Sequence, residues 1–275
     1  MPLIDHTPAP PVFYSFPEST TLCNVLTKFI AQTARETIEK KGKFTLAISG
    51  GSLPKNLSLL IERKDIEWDR WHVFYVDERV VPFDHAESNH ALCQTELWSK
   101  VPIPAANIHT INEELLTAEP VDLEELADEY QSQLIEHFVS KDAARFPVFD
   151  LILLGMGPDG HTASLFPGSA QLDVDETCWV AYIEESPKPP PKRITLTLPV
   201  INHAARVAFV ATGEGKQESL AITLDQPEKR YPGSRVRPAR PGVVYWFVDD
   251  AASALVKYPR SDHSDPQSDK PELKL

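Results

Sequence analysis

The hydrophobic and polar positions of this chain form short apolar runs that alternate with longer amphipathic stretches. Several runs are continuous and rich in β-branched or aromatic residues, which is typical of strands buried on both faces of a parallel sheet. The pattern predicts strands at Phe44–Ile48, Val73–Val76, Phe149–Leu154, Trp179–Ile183, Ile194–Leu198, Val207–Val210 and Val243–Val248.

The stretches between these runs follow the helical period. The clearest helix is predicted at Asp122–Phe138, where apolar residues share one face and Asp122 with Glu125 resembles a capping box. Further helices are predicted at Leu22–Ile38, Ser88–Trp98 and Gln217–Leu224. Strands that alternate with helices predict an α/β fold, with an open, mostly parallel, Rossmann-like sheet covered by helices on both faces.

Neither an internal repeat nor a linker divides the chain, so we predict a single domain over residues 12–257. Residues 1–11 and 258–275 are polar or proline-rich and are expected to be flexible tails. The N-terminal segment lacks the basic and apolar regions of a secretory signal. We also find no run that approaches the roughly 20 apolar residues of a membrane span.

Composition narrows the possible partners. The 275 residues suffice to bury a sizeable core. The net charge of −13 argues against a nucleic-acid or acidic-membrane partner, because such binding needs a basic face. A few local cations can still hold one phosphate. Three widely spaced cysteines indicate free thiols in a reducing compartment. We therefore expect a cytoplasmic protein. Separately, we expect a monomer that acts on a small molecule.

Four of the predicted strands are followed by glycines, hydroxyls or ionisable groups. The segments are Ser49–Ser52, Asp77–Arg79, Gly155–Thr162 and Ala211–Lys216. Ligands of open α/β sheets bind beyond the carboxyl ends of the strands. We therefore expect these four segments to meet at one rim and to form the functional site.

Each segment offers a specific chemistry and a plainer alternative. The segment Ser49-Gly50-Gly51 lets the backbone approach a ligand closely, although a glycine pair also forms ordinary turns. Arg79 presents a planar fork suited to phosphate, or pairs with a neighbouring carboxylate. Lys216 can add a point charge near a helix start, or can be an ordinary solvated lysine.

In the third segment, Gly155, Gly157 and Gly160 spell a dinucleotide-like G-x-G-x-x-G. Pro158 has no N–H to offer in the middle of such a cradle, and the motif lies mid-chain, so we do not expect a nicotinamide cofactor. His161 on this turn is well placed to be a general base, unless it merely braces the turn.

Other motifs give weaker signals. The chain has no G-x-S-x-G elbow and no HExxH pair, and His85, His90 and Cys93 have no supporting fourth ligand, so we expect no metal. The segment Pro187–Pro191 is either a polyproline ligand for a partner or a rigid loop beside the site, and its place between two strands favours the loop.

At these residues the sequence resembles the 6-phosphogluconolactonase family, which shares an α/β superfamily with the glucosamine-6-phosphate deaminases and isomerases. The resemblance covers roughly residues 12–256. Its motifs are SGGSLPK at 49–55, DERVVPFDHAESN at 77–89, GMGPDGHTASLFPG at 155–168, PKRITLT at 191–197, INHA at 201–204, GEGK at 213–216 and YWFVDDAA at 245–252. The deaminases have a tyrosine in place of Arg79 and IAFNEP in place of residues 162–167, so the lactonase pattern fits better.

The resemblance implies an enzyme that hydrolyses 6-phospho-D-glucono-1,5-lactone to 6-phospho-D-gluconate, the second step of the oxidative pentose phosphate pathway, without metal or cofactor. It implies that His161 is the general base and that Asp159 orients its imidazole or acts on sugar hydroxyls. The residues expected to bind substrate are Ser49, Gly50, Gly51, Asp77, Arg79, Gly157, Arg193 and Lys216.

Among these, Arg79 and Lys216 would bind the 6-phosphate with Arg193 as a third cation, while Asp77 would position Arg79 or the sugar. The oxyanion donors stay open between N–H groups near Gly50, Gly51 or Gly157. A deaminase or isomerase, and a sugar-phosphate sensor without turnover, are the alternatives.

Overall fold

The computed structural model describes residues 7–138 and 146–262. Its strands are β1 (Val12–Phe16), β2 (Phe44–Ile48), β3 (Trp71–Tyr75), β4 (Asp77–Arg79), β5 (Ile108–His109), β6 (Leu151–Gly155), β7 (Val180–Ile183), β8 (Arg193–Leu196), β9 (Arg206–Ala211) and β10 (Val243–Asp249). Its α-helices are α1 (Ser19–Lys41), α2 (Leu53–Asn56), α3 (Asn89–Glu96), α4 (Leu123–Phe138), α5 (Leu198–Ile201), α6 (Gln217–Asp225), α7 (Pro232–Arg235) and α8 (Asp250–Ser253).

Within the described residues, seven strands form one sheet in the order β1-β10-β9-β6-β2-β3-β5. All of its neighbouring pairs are parallel. Helices cover both faces: α1 packs on one face through Leu26 and Phe29, and α4 packs on the other through Leu126, Tyr130 and Leu134. The α/β class and the open parallel sheet are therefore confirmed.

The sequence did not predict a second, smaller sheet. Strands β7 and β8, expected in the main sheet, pair antiparallel with each other, and β8 also pairs antiparallel with β4. The order is β4-β8-β7. Strand β4 follows β3 after one residue, so the chain passes directly from the main sheet into the small one. This sheet adds a second wall beside the carboxyl ends of the main strands.

Local signals set the helix ends. The Asp122 carboxylate accepts hydrogen bonds from the N–H groups of Glu124 and Glu125, both at 3.0 Å, which confirms the predicted start of α4. Helix α1 ends at Gly42, whose φ of 76° lets its N–H donate to the carbonyl of Ile38. None of the helices in the described ranges is both long enough and apolar enough to span a bilayer.

The described chain continues past the predicted domain limits and still makes contacts there. The Tyr258 hydroxyl donates to the carbonyl of Pro11 at 2.9 Å, and its ring meets Phe13 edge-on. The N–H of Ser261 donates to the carbonyl of Phe13 at 2.8 Å. The boundaries at residues 12 and 257 stay predictions, and residues 1–6 and 263–275 of the predicted tails lie outside the described residues.

Candidate active site

A cleft of about 190 Å³ lies at the carboxyl ends of the main-sheet strands. Strands β9, β6, β2 and β3 are consecutive neighbours in the sheet, so the four segments that follow them meet at one rim, as predicted. The predicted residues that line the cleft are Ser49, Gly50, Gly51, Asp77, Arg79, Gly157, His161 and Lys216. Asp159 and Arg193 are not part of this lining: Asp159 contacts His161 directly, and Arg193 is connected to Asp77 through Ser164.

The turn after β6 fixes His161 by its backbone and by one carboxylate. The N–H of Gly157 donates to the carbonyl of His161 at 2.7 Å, which closes the turn. The Nδ1 atom of His161 lies 2.6 Å from Oδ1 of Asp159, and the imidazole stacks on the ring of Phe166. A Cβ at Gly157 would overlap the His161 ring, so only glycine fits there.

The protonation of this pair follows from its surroundings. Burial lowers the pKa of His161, and the hydrogen bond to Asp159 opposes this effect. Burial raises the pKa of Asp159, but hydrogen bonds from His161 and Lys188 outweigh burial and lower that pKa to about 2. Asp159 is therefore ionised at neutral pH, so Nδ1 of a neutral His161 donates to it. The other ring nitrogen, Nε2, then carries the lone pair of a base.

Lys188 also contacts the His161–Asp159 pair, and the sequence did not identify it as a site residue. Its Nζ lies 3.0 Å from Oδ1 of Asp159, so one carboxylate oxygen receives both the imidazole and the ammonium. Lys188 lies in the proline-rich segment between β7 and β8, which confirms the interpretation of that segment as a loop beside the site. The prolines around Lys188 were the only sequence signal for it.

Arg193 fixes the proline-rich loop through hydrogen bonds to its backbone carbonyls. Its guanidinium donates to the carbonyls of Lys188, Pro189 and Pro190 at 3.0 to 3.1 Å. A third nitrogen, Nη1, donates to the hydroxyl of Ser164 at 3.3 Å. Because its side chain is buried and faces these acceptors, Arg193 positions the loop, and its contact with phosphate stays a prediction.

Ser164 joins Arg193 to Asp77. The Ser164 hydroxyl donates to Oδ2 of Asp77 at 2.7 Å, so a neutral group separates the buried carboxylate from the buried guanidinium. Asp77 was expected to position Arg79 or the sugar. Its observed side-chain partner is Ser164, a residue that the sequence did not distinguish from other serines.

Arg79 reaches the cleft from β4. Its Nη1 donates to the carbonyl and the carboxylate of Glu87, both at 3.0 Å, so its carboxylate partner is Glu87 rather than Asp77 or Glu78. The buried Nε of Arg79 has no hydrogen-bond partner among the described residues. The buried hydroxyl of Ser49, which also lines the cleft, is likewise unpartnered there. Two unsatisfied polar groups at one cleft favour a polar ligand.

Glu78 supports β4 and the start of α3. Its carboxylate accepts hydrogen bonds from the N–H groups of Arg79, Asn89 and His90 at 2.7 to 2.8 Å. Burial nevertheless raises the pKa of Glu78 to about 7. The Asn89 side chain in turn donates to the carbonyl of Asp77 and fills the space beside Gly50, where a Cβ would overlap it. These contacts tie the Asp77–Arg79 strand to the glycine turn after β2.

Lys216 enters the cleft from the loop after β9. Gly213 in this loop has a φ of 87°, and its N–H donates to both carboxylate oxygens of Asp249 at 3.0 and 3.1 Å. Burial lowers the pKa of Lys216, and the nearby Lys188 acts in the same direction. With Arg79, Lys216 gives the cleft two cationic side chains within an acidic protein.

A parallel sheet with a cation-lined cleft at its carboxyl edge is typical of α/β proteins that bind small anionic molecules. The family model for glucosamine-6-phosphate isomerases/6-phosphogluconolactonase matches residues 17–246. The chain belongs to this family.

Two relatives with curated names are similar over nearly their whole length. The chain is 45% identical to the probable 6-phosphogluconolactonase of Schizosaccharomyces pombe, covering 88% of this chain and 94% of that protein. It is 44% identical to the 6-phosphogluconolactonase of Homo sapiens, covering 94% and 98%.

Solved structures agree with these relatives. The 6-phosphogluconolactonase from Trypanosoma cruzi superposes with a TM-score of 0.76 at 28% identity, covering 92% of this chain and 99% of that one. The enzyme of the same name from Thermotoga maritima gives 0.73 at 27% identity, covering 86% and 99%. A monomeric glucosamine-6-phosphate deaminase gives 0.70 at 19% identity, which shows a shared fold alone.

Proposed function

We propose that this protein is a 6-phosphogluconolactonase, which hydrolyses 6-phospho-D-glucono-1,5-lactone to 6-phospho-D-gluconate in the oxidative pentose phosphate pathway. The observation that carries the proposal is that His161, Arg79 and Lys216 line one cleft and that His161 is paired there with an ionised Asp159 behind it. In this proposal one base and two cations surround the space for a small ligand. The similarity to 6-phosphogluconolactonases over most of the chain supports the same reaction.

In this proposal His161 is the general base. Its Nε2 takes a proton from water as the water oxygen attacks C1 of the lactone. The tetrahedral intermediate then collapses, the bond between C1 and the ring oxygen breaks, and the proton on Nε2 passes to that oxygen. The new carboxylic acid loses its proton to solvent. Asp159 keeps the imidazole in the required tautomer and stabilises its cationic form between the two transfers.

The developing oxyanion needs donors near the base. Of the three predicted candidates, Gly157 uses its N–H within the turn, where it donates to the carbonyl of His161. Gly50 and Gly51 are therefore the proposed donors from the turn after β2. In Gly51 a φ of 69° turns the backbone through a conformation that favours glycine.

Arg79 and Lys216 are the proposed partners of the 6-phosphate. The buried, unpartnered Nε of Arg79 and the lowered pKa of Lys216 both describe cations that an anion in the cleft would stabilise. Arg193 contributes indirectly, through the loop and Ser164, and Asp77 is held by Ser164 at the cleft wall. Phosphate recognition of this kind requires neither metal nor cofactor.

We also propose that the protein acts as a monomer in the cytoplasm, without a nucleic-acid partner. The net charge of −13 supports the last point. Size-exclusion chromatography with light scattering measures the oligomeric state directly. A mass of twice the 30.8 kDa of the chain would replace the monomer by a dimer.

The decisive experiment supplies freshly generated 6-phosphogluconolactone to the purified chain in EDTA, with spontaneous hydrolysis subtracted. Acid release is followed at constant pH. Turnover well above background is the expected result. A folded protein without any rate above background would overturn the proposal, and ammonia release from glucosamine 6-phosphate would then identify a deaminase.

A further inference from the structure

A second cluster of chemically reactive side chains lies away from the cleft. His72 is the second residue of β3, His109 ends β5, and His137 lies in the last turn of α4. One ring nitrogen from each of the three histidines lies within 4.8 Å of the other two, and all three residues are half-buried. We call these residues the three-histidine cluster.

The cluster is separate from the active site. The cleft begins at Ser49, beyond the carboxyl end of β2. His72 pairs instead with Thr45, near the beginning of the same strand. Two residues later Phe74 points to the same face and packs among the side chains around α4. The cluster therefore sits toward the amino-terminal side of the sheet, under the end of α4.

We propose that the three-histidine cluster is a binding site for a divalent transition-metal ion of the zinc class. Neutral imidazole nitrogens are preferred ligands of such ions, and three of them leave a fourth position for water or another ligand. Two imidazole nitrogens on one tetrahedral Zn²⁺ lie about 3.3 Å apart, from bond lengths of about 2.0–2.1 Å. In this structure Nδ1 of His72 and Nε2 of His109 are 3.2 Å apart.

The contact between Lys43 and His137, the third histidine of the cluster, supports this proposal. The Nζ atom of Lys43 lies 3.1 Å from Nε2 of His137, and an ammonium has only hydrogens to offer. The Nε2 atom therefore directs a lone pair toward a cation. A metal ion bound to His137 through Nε2 would displace the Lys43 ammonium, which leaves on a flexible stem.

Packing is the competing explanation. The ring of His109 stacks on Phe74 at 4.2 Å, and the rings of His72 and His137 lie 4.6 Å apart. Aromatic packing alone, however, does not require three nitrogens to face one another. Metal binding would join β3, the two-residue edge strand β5 and the end of α4 through one ion, so it would also fasten the edge of the main sheet.

The test is a calorimetric titration of Zn²⁺ into the full, untagged chain after EDTA has been removed. We expect one equivalent to bind with micromolar or tighter affinity. The melting temperature should rise with the zinc concentration, because the ion binds the folded state. Co²⁺ should give the visible absorption of a tetrahedral site.

Variants show whether zinc binds at the three-histidine cluster or at another histidine. His72→Asn and His137→Asn should each weaken binding at least tenfold, on the scale of losing metal-site interactions. Lys43→Met should tighten binding, since it removes a competing cation and leaves all three ligands in place. His203→Ala, at a histidine that stacks on Phe146, and His161→Asn are controls that should leave the affinity unchanged.

Any of the following outcomes would overturn the proposal: no zinc uptake by the wild-type chain, wild-type affinity in the His72 and His137 variants, or loss of binding in a control. Circular dichroism in EDTA shows which variants are folded. If a histidine variant fails to fold, Lys43→Met still decides, because unchanged or weaker binding in that variant contradicts the proposed geometry. Lactonase activity is not a readout here, so this test and that of the proposed function fail independently.

Discussion

The Nδ1 atom of His161 lies 2.6 Å from Oδ1 of Asp159, and the same oxygen receives the Lys188 ammonium at 3.0 Å. One carboxylate oxygen thus orients the proposed base and binds a cation that disfavours protonation of that base. The two neighbours of His161 act on its pKa in opposite directions. Their separate effects are measurable in the pH dependence of the reaction.

His161→Ala removes the proposed base. We expect kcat to fall by about a hundredfold or more, the usual scale for general-base catalysis, with a smaller effect on KM. Steady-state kinetics on fresh lactone measures both constants, and His203→Ala is the matched histidine control. Near-normal turnover in His161→Ala would remove this residue from the role.

Wild-type kcat/KM should fall as the pH decreases through the pKa of His161, because only the neutral imidazole accepts a proton. Burial lowers that pKa, so the loss should be centred below pH 6.5, the usual value for histidine. A pH–rate profile from pH 5 to 8 checks this. A loss centred well above 6.5 would contradict the assignment.

Lys188→Met and Asp159→Asn should move this profile in opposite directions. Removal of the Lys188 ammonium raises the pKa of His161, so activity should be lost at higher pH than in the wild type. Removal of the Asp159 charge lowers that pKa, while kcat falls because the imidazole loses its orientation. A purely structural role for Lys188 would change the rate and leave the midpoint of the profile in place.

Arg79→Ala should raise KM for the phosphorylated lactone by about ten- to a hundredfold, the scale of a hydrogen bond to a charged group. The preference over unphosphorylated gluconolactone should shrink by a similar factor. Arg63→Ala is the control, since Arg63 pairs with Asp65 and does not line the cleft. An unchanged preference would place the phosphate elsewhere.

Gly157→Ala tests whether the position of the His161 ring matters for catalysis, because the imidazole itself is left unchanged. The added methyl would overlap the His161 ring, so kcat should fall while the fold persists. Gly215→Ala is the matched control, because a methyl there meets no atom within 4 Å. The imidazole proton signals of His161 in NMR should shift in the first variant only. An unperturbed signal and normal kcat in Gly157→Ala would show that the turn accommodates the methyl.

The sequence predicted the parallel sheet because each main-sheet strand from β2 onward, except β5, carries its own apolar run. It missed β1 at Val12–Phe16, β5, which has two residues, and β4, whose residues Asp77, Glu78 and Arg79 show no apolar pattern. It also placed β7 and β8 in the wrong sheet. Apolar runs indicate that a segment is a strand, whereas its partner depends on contacts between distant segments.

The candidate site, like the fold, was predicted only in part from the sequence. Residues of the motifs at the strand ends meet at one cleft because the order of the strands brings those ends together. Ser164 and Lys188 were missed because their roles come from partners distant in sequence, Asp77 and Asp159. Arg193 was expected to be a third cation for the phosphate, but its burial beneath a loop of carbonyls is visible only in three dimensions.

The contact between Ser261 and Phe13 has a consequence for the behaviour of the protein in concentrated solution. Among the described residues β1 is an edge of the main sheet, and an edge strand can pair with the backbone of another chain. Ser261 covers one backbone group of β1, the carbonyl of Phe13, and Tyr258 covers that of Pro11 just before the strand. A chain shortened to end at Lys257 should therefore keep its cleft but self-associate through β1, so that light scattering rises with concentration where the full chain stays clear.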